Sequence, residues 1–188
     1  AEHAYDATVD LAAGGLPGGW HGVMAYQWFT RPLVQWLGTA TPLTTMSARP
    51  MPRLDGPTAA SAMRTLMAGA PWDTVTASMT MLDSHDTARI RTVVEGDTSA
   101  HLTALVALAT FPGVPTLFAG SELGATGDAM DTARVPFGWD TSRWDHGTLE
   151  ATRAAMALRR TSPALATGGL RWLDAEPDRI RYVREHPD

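Results

Sequence analysis

Apolar residues along this chain fall into two rhythms. In Ser99 to Phe111 they are dense, and Leu102, Leu105, Val106 and Ala109 recur at helical spacing, which predicts a helix with that face inward until Pro112-Gly113 breaks it. Thr58 to Ala68 carries Ala59, Met63, Leu66 and Met67 on one face, and Thr148 to Arg160 carries Ala151, Ala154, Ala155 and Leu158 before Ser162-Pro163 stops it. Thr30 is expected to cap a helix holding Pro32, Leu33, Val34, Trp36 and Leu37, with Gly38 at its end, and Asp6 to Ala13 reads as a short helix closed by Gly14-Gly15. The second rhythm is the short unbroken apolar run: Gly22 to Tyr26, Met79 to Leu82, and Val114 to Ala119. Runs without alternation fit strands covered on both faces. Residues 38–57 and 124–147 read as loops, and the tail, with Leu170 and Trp172 followed by Ile180 and Tyr182, reads as a hairpin. Strands alternating with helices imply an α/β fold with a parallel sheet. No internal repeat stands out.

Composition narrows this picture. The 188 residues, 44% of them apolar, suffice for one sizeable core. No apolar run approaches the roughly 18 residues of a membrane span. The net charge of −5 comes without any basic block, which argues against nucleic acid as a partner. Cysteine and lysine are both absent, so thiolate nucleophiles, thiolate metal sites and Schiff-base chemistry are excluded within these residues. The chain opens on Ala1 without Met, so secretion is not judged from it, and a cytoplasmic location is the working expectation.

The sharpest feature is the run "SMTMLDSHDTARI", residues 78–90, where an apolar strand stops at two acids and a histidine. Asp86 follows one expected strand and Glu122 another, while Glu2 sits where a preceding strand would end. In parallel α/β folds the C-terminal strand ends gather on one face and build the site. Clustered carboxylates there suit glycoside hydrolysis, in which one acid protonates the leaving oxygen and another attacks or activates water. Two plainer readings compete: strand-end acids serving as helix caps, and a metal site from Glu2, His3, His85 and Asp86, for which no ligand spacing argues.

Several stretches together resemble the α-amylase family of glycoside hydrolases, glycoside hydrolase family 13, nearest its neopullulanase, cyclomaltodextrinase and α-glucosidase members. "AEHAYDA" resembles GE-x-W-H-x-A after barrel strand five, and "GVMAYQWF" resembles "GVMNYxF" at strand six. "LDSHDTAR" resembles "xxNHDxxR" after strand seven, and "GVPTLFAGSELGATG" resembles "GxPxIYYGDExGxTG" at strand eight. "ARVPFGW" and "ALRRTSPALATGGL" resemble "RRPMPW" and "LRxxxPALxxG". The resemblance implies Glu2 as general acid/base, Asp86 as the acid steadying the oxocarbenium-like transition state, and His85 as a sugar ligand. His3, beside Glu2, and Trp28, in its expected loop, are further candidates to bind the substrate; the resemblance puts Arg89 just outside the direct contacts, where it could orient a carboxylate, and Glu122 and Arg134 at supporting positions. The chain departs from the family pattern at Ala25, at Ser121 (usually Asp), at Val135 and at Gly138.

The family's nucleophile is an Asp in a stretch like G-x-R-x-D before the acid/base, and nothing precedes Ala1 here. A full (β/α)₈ barrel needs roughly 250 residues. The expectation is therefore the second half of a TIM barrel over residues 1–168, followed at 169–188 by the start of a C-terminal β-sandwich domain, inactive alone. The parent would be a retaining α-glycosidase acting on α-1,4-glucans or maltodextrins, with disaccharide transglycosylation or isomerisation, or a non-catalytic sugar- or partner-binding role, as alternatives. No cofactor is expected, although Asp128 and Asp131 near glycine leave calcium conceivable beside a plain polar loop. An α-glucan is the expected partner, without nucleic acid or membrane, and the resemblance leaves room for a homodimer of the parent. Trp28 and Trp139, in expected loops, are candidates to stack on sugars, whereas Trp20, Trp36 and Trp172 suit packing.

Overall fold

The computed structural model describes residues 11, 19–40, 50–128 and 130–187; Glu2, His3 and the expected helix at Asp6 to Ala13 lie outside these residues, apart from Leu11. Strand β1, Met79–Met81, pairs in parallel with strand β2, Val114–Thr116. On the other side of β1, Met24 forms a parallel bridge to Met79, closed by Ala25 N–H to Met79 O at 2.8 Å and Met79 N–H to Val23 O at 2.8 Å. Three segments consecutive in sequence thus lie side by side in chain order, a singly wound arrangement like that of a barrel wall, with no reversal of strand order.

Helices cover these strands. They are α1, Arg31–Leu37; α2, Gly56–Met67; α3, Trp72–Ala77; α4, Ile90–Val93; α5, Thr98–Thr110; α6, Met130–Ala133; α7, His146–Thr161; and α8, Pro163–Ala166. Their starts are written in short polar side chains. Asp55 accepts the Thr58 N–H ahead of α2, Asp97 accepts the Ser99 and Ala100 N–H groups ahead of α5, and Asp145 accepts the Thr148 N–H ahead of α7. Thr30 does not cap α1: it belongs to a π-helical turn, Tyr26–Thr30, and its hydroxyl donates to Met81 O at 2.7 Å. The chain from 22 to 26 therefore touches the sheet only briefly before it coils, and β2 ends at Thr116 rather than at Ala119.

The core joins Phe29, Leu33, Met63, Leu82, Ile90, Leu105, Leu108 and Phe111. Two expected inward faces are rotated. In α5 the buried set is His101, Ala104, Leu105, Leu108 and Ala109, while Val106 is 57% exposed. In α7 the buried residues are Thr148, Thr152 and Arg159, and Leu158 is 56% exposed. The inner face of α7 is polar because carbonyl groups face it. Arg159 donates to Ala109 O (2.9 Å), Phe111 O (2.8 Å) and Gly113 O (2.5 Å), the chain that leaves α5 and enters β2. Gly113 suits this corner: its φ is +125°, and a Cβ there would lie 2.8 Å from Ser78 O.

The tail is the antiparallel hairpin that alternation predicts. Strand β3, Gly169–Glu176, pairs with strand β4, Arg179–Glu185, with a register irregularity between Trp172 and Asp174. Trp172 and Tyr182 are directly opposite and both ring-pack on Phe111, at 6.1 and 6.0 Å between centroids. The hairpin thus closes one side of the same core that the helices share.

Candidate active site at the strand ends

Just past β1, Asp83 and Ser84 are buried, and the chain then turns outward through His85, Asp86 and Thr87. Side chains shape this turn. Ser84 N–H donates to Thr87 Oγ1 at 2.9 Å, Thr87 N–H to Ser84 O at 3.2 Å, and Asp86 N–H to Ser84 Oγ at 3.1 Å. From the segment beside β1, the Tyr26 hydroxyl donates to the same Ser84 Oγ at 2.6 Å. Short polar residues thus lift His85 and Asp86 to the rim while their neighbours stay inside.

Three groups meet at the rim. Arg134 Nη2 donates to Asp86 Oδ1 at 2.9 Å, and Arg134 Nε donates to His85 O at 2.7 Å. His85 Nε2 lies 3.5 Å from Asp86 Oδ1. The Asp86 side chain is 20% exposed, His85 49% and Arg134 44%. A carboxylate fixed on one oxygen by a guanidinium keeps its other oxygen for a ligand, and the imidazole beside it adds a donor or acceptor. Sequence placed Arg134 behind the substrate residues; here it holds Asp86 directly.

Behind the rim lies a buried junction. Arg89 is 1% exposed, its guanidinium stacked 3.7 Å from the centre of the Phe118 ring. It donates through Nε to Ala133 O (3.0 Å) and through Nη1 to Phe118 O (3.3 Å) and Ser121 Oγ (3.1 Å). Ser121 Oγ lies 2.7 and 2.8 Å from the two oxygens of Asp83, and Ile90 N–H donates to Asp83 Oδ2 at 2.8 Å. Burial pushes the Asp83 carboxyl above its ordinary range, against the pull of the Ile90 N–H, Ser121 and Arg89. Burial likewise lowers the Arg89 guanidinium, opposed by Asp83 and Glu122. Glu122 turns back on its own loop, accepting the Gly120 N–H at 2.8 Å, where Gly120 has a φ of +101°.

Two expected substrate contacts need correction. Trp28 lies in the π-helical turn, not a loop, and is 3% exposed; its indole packs in the core, with Nε1 lacking a partner among the described residues. Arg89 is enclosed, and the donors described above are spent on carbonyls and Ser121. Trp139 does stand on a loop, 80% exposed, its ring 4.7 Å from that of Phe137. A pocket of about 500 Å³ opens beside Arg89, lined by Leu123, Ala125, Phe137, Arg143 and Trp144, and neither His85 nor Asp86 lines it. Asp128 accepts the Thr132 hydroxyl at 2.6 Å, the arrangement of a polar loop, and no cluster of metal-ligating side chains occurs among the described residues. Asp83, Ser84 and Ser121 contribute although the sequence reading assigns them no role: Asp83 and Ser84 stand in the same "LDSHD" stretch, and Ser121 stands out there only as a departure from the family pattern.

Parallel strands in chain order, covered by helices and ending in acids on one face, define an α/β domain with its polar site at the strand ends. The family profile "Alpha amylase, catalytic domain" matches residues 25–174, and the chain belongs to this glycoside hydrolase family. It is 32% identical over 121 residues to a cyclomaltodextrinase of Bacillus sp, covering 63% of this chain and 22% of that protein. It is 29% identical over 110 residues to neopullulanase 2 of Thermoactinomyces vulgaris, covering 57% of this chain and 19% of that protein. The debranching enzyme of Nostoc punctiforme superposes with a TM-score of 0.85 at 25% identity, over 98% of this chain and 38% of that one. The chain thus spans about a fifth of the length of these curated relatives. Among the described residues no helix is long and apolar enough to cross a membrane.

Proposed function

We propose that this chain supplies the acid/base half of the active site of a retaining α-glycosidase acting on α-1,4-linked maltodextrins, in a protein whose other residues supply the nucleophile. Residues 1–168 are then the part of a (β/α)₈ barrel from the end of its fifth strand, and residues 169–188 begin a β-domain. The singly wound order of the segments around Met24, β1 and β2 supports the barrel reading.

The observation that carries the function is the Asp86 carboxylate at a strand end, held by Arg134 at 2.9 Å with His85 beside it. In this reading Asp86 and His85 bind hydroxyls of the distorted sugar, and the Asp86 charge stabilises positive charge developing at the anomeric carbon. Arg134 holds Asp86 in one orientation as it does so. Glu2, by its match to the family stretch, protonates the leaving oxygen and later takes a proton from the incoming water.

The test is a rate and product assay of the complete protein on maltodextrin and cyclomaltodextrin. The expected result is an α-configured product by NMR and turnover abolished by Glu2→Gln. A β-configured product, or near-normal rates in that variant, would overturn the assignment.

A further inference from the structure

We propose that Asp83, Ser121 and Arg89 form a buried relay whose task is to position Arg134, and through it Asp86. The inference rests on the reading of Asp86 given above for its functional meaning, but its geometry stands independently.

The Arg134–Asp86 pair is half open to water, and exposed ion pairs of this kind contribute little on their own. Left to itself, such a pair does not hold a carboxylate in one orientation. What fixes it here lies one residue back. Arg89 Nε donates to Ala133 O, and that oxygen belongs to the same planar peptide unit as the Arg134 nitrogen. Ala133 is fully buried, so the peptide is held from inside. Arg134 then reaches over to His85 O and Asp86 Oδ1, and the chain returns through Thr87 and Ala88 to Arg89. The contacts close into a ring in which Arg89 is the one buried cation.

Arg89 itself is held by Ser121 and by the Phe118 ring and carbonyl, with its own N–H donating to Gly127 O at 2.8 Å. Ser121 Oγ bridges that guanidinium to Asp83, a carboxyl that among the described residues also accepts the Ile90 N–H. Position 121 is also where the family stretch quoted above ordinarily has Asp. In this chain a buried acid, Asp83, stands at the end of β1, and a serine occupies the place facing Arg89. The relay needs one carboxyl at this junction, and exchanging the two residues tests whether either strand end can carry it.

Three variants of the complete protein test this: Ser121→Ala, Asp83→Asn, and the exchange Asp83→Ser/Ser121→Asp. Two readouts are needed. The first is kcat per active site, titrated with a mechanism-based glycosidase inactivator, against KM. The second is the Arg134–Asp86 separation in crystal structures of each variant, which does not depend on activity. The relay predicts a 10- to 100-fold fall in kcat per titrated site for each single variant, with KM changed less than threefold. It predicts the pair parted beyond 4 Å in both, and both quantities restored in the exchange variant.

Unchanged kcat per titrated site with a lowered Tm would mean that these residues only support the fold, and would overturn the relay. An exchange variant that folds but keeps the low kcat and the open pair would overturn it too. If the wild-type protein cleaves no α-glucan, the functional reading fails, and the crystal structures alone then decide whether the relay holds Arg134.

Discussion

Arg159 and Arg89 bracket strand β2 from opposite ends. Arg159 takes the Gly113 carbonyl just before the strand, together with Ala109 O and Phe111 O. Arg89 takes the Phe118 carbonyl just after it, together with Ala133 O and Ser121 Oγ. Both are buried, and burial lowers both guanidinium pKa values. Their company differs. Arg159 meets carbonyls and, among the described residues, no carboxylate, so it acts as a plug that satisfies the backbone where α5 turns into the sheet. Arg89 stands among Asp83, Ser121 and Glu122, one peptide away from the arginine that holds Asp86. In the reading proposed above, the N-terminal side of the sheet serves stability and the C-terminal side chemistry, the division expected of parallel α/β barrels.

This contrast breaks first at Asp86. In the complete protein, Asp86→Asn should lower kcat about 10³-fold, on the order of 4 kcal/mol of transition-state stabilisation, because the neutral amide no longer opposes the developing cation. Its Tm should stay close to wild type, since the side chain is at the rim. Initial rates on maltodextrin beside a thermal melt check both halves; a large drop in Tm with kcat intact would move Asp86 to the structural side. Arg159→Met is the mirror experiment. It strips three buried carbonyls of their donor, and should cost about 3 kcal/mol in urea unfolding while kcat per folded molecule stays within twofold. A kcat loss as large as that of Asp86→Asn would erase the division between the two ends.

The sequence made the sheet and the rim legible for different reasons. The apolar runs at Met79 to Leu82 and Val114 to Ala119 announced β1 and β2, but the cover on both faces that such runs imply holds only for Thr80 and Met81; among the described residues β2 is not buried, and its Val114 is 48% exposed. Asp86 and His85 stood out where an apolar run ends in polar residues, Arg134 through its family stretch, and the structure adds the contacts between them. The inner face of α7 was misread because apolar spacing finds faces that meet apolar partners. Thr148, Thr152 and Arg159 face hydroxyls, a guanidinium and carbonyls, which leave no periodic signal. Asp83 and Ser121 were passed over for a related reason. They meet across 38 residues of sequence, and a pair that lies on two strand ends has no local pattern.

Between the two ends sits His101, and it sharpens the comparison through pH. It is fully buried in α5 with neither ring nitrogen hydrogen-bonded among the described residues. Burial first, and the nearby Arg91 second, lower its pKa from 6.5 to about 4, with Asp145 opposing. The folded protein therefore keeps the ring neutral while the unfolded chain takes up the proton. The stability this gives is complete above pH 6.5 and is lost as pH falls toward 4, by up to about 3 kcal/mol. Urea titrations at pH 7 and pH 5 should show the loss, and His101→Leu should flatten it; an equal slope in that variant would place the acid sensitivity elsewhere.

The smallest effect belongs to the cap of the same helix. Asp97 accepts the Ser99 N–H at 2.8 Å and the Ala100 N–H at 3.2 Å, two donors that α5 cannot satisfy internally. Asp97→Ala should cost about 1 kcal/mol. Because the cap is exposed, water replaces the lost acceptor, whereas nothing replaces Arg159 at the other end of α5. The two variants measured together at pH 7 therefore compare a polar group lost in water with one lost in the core, in a single helix. Equal costs would mean that the carbonyls around Arg159 find other donors, and that the plug at the N-terminal side of the sheet is dispensable.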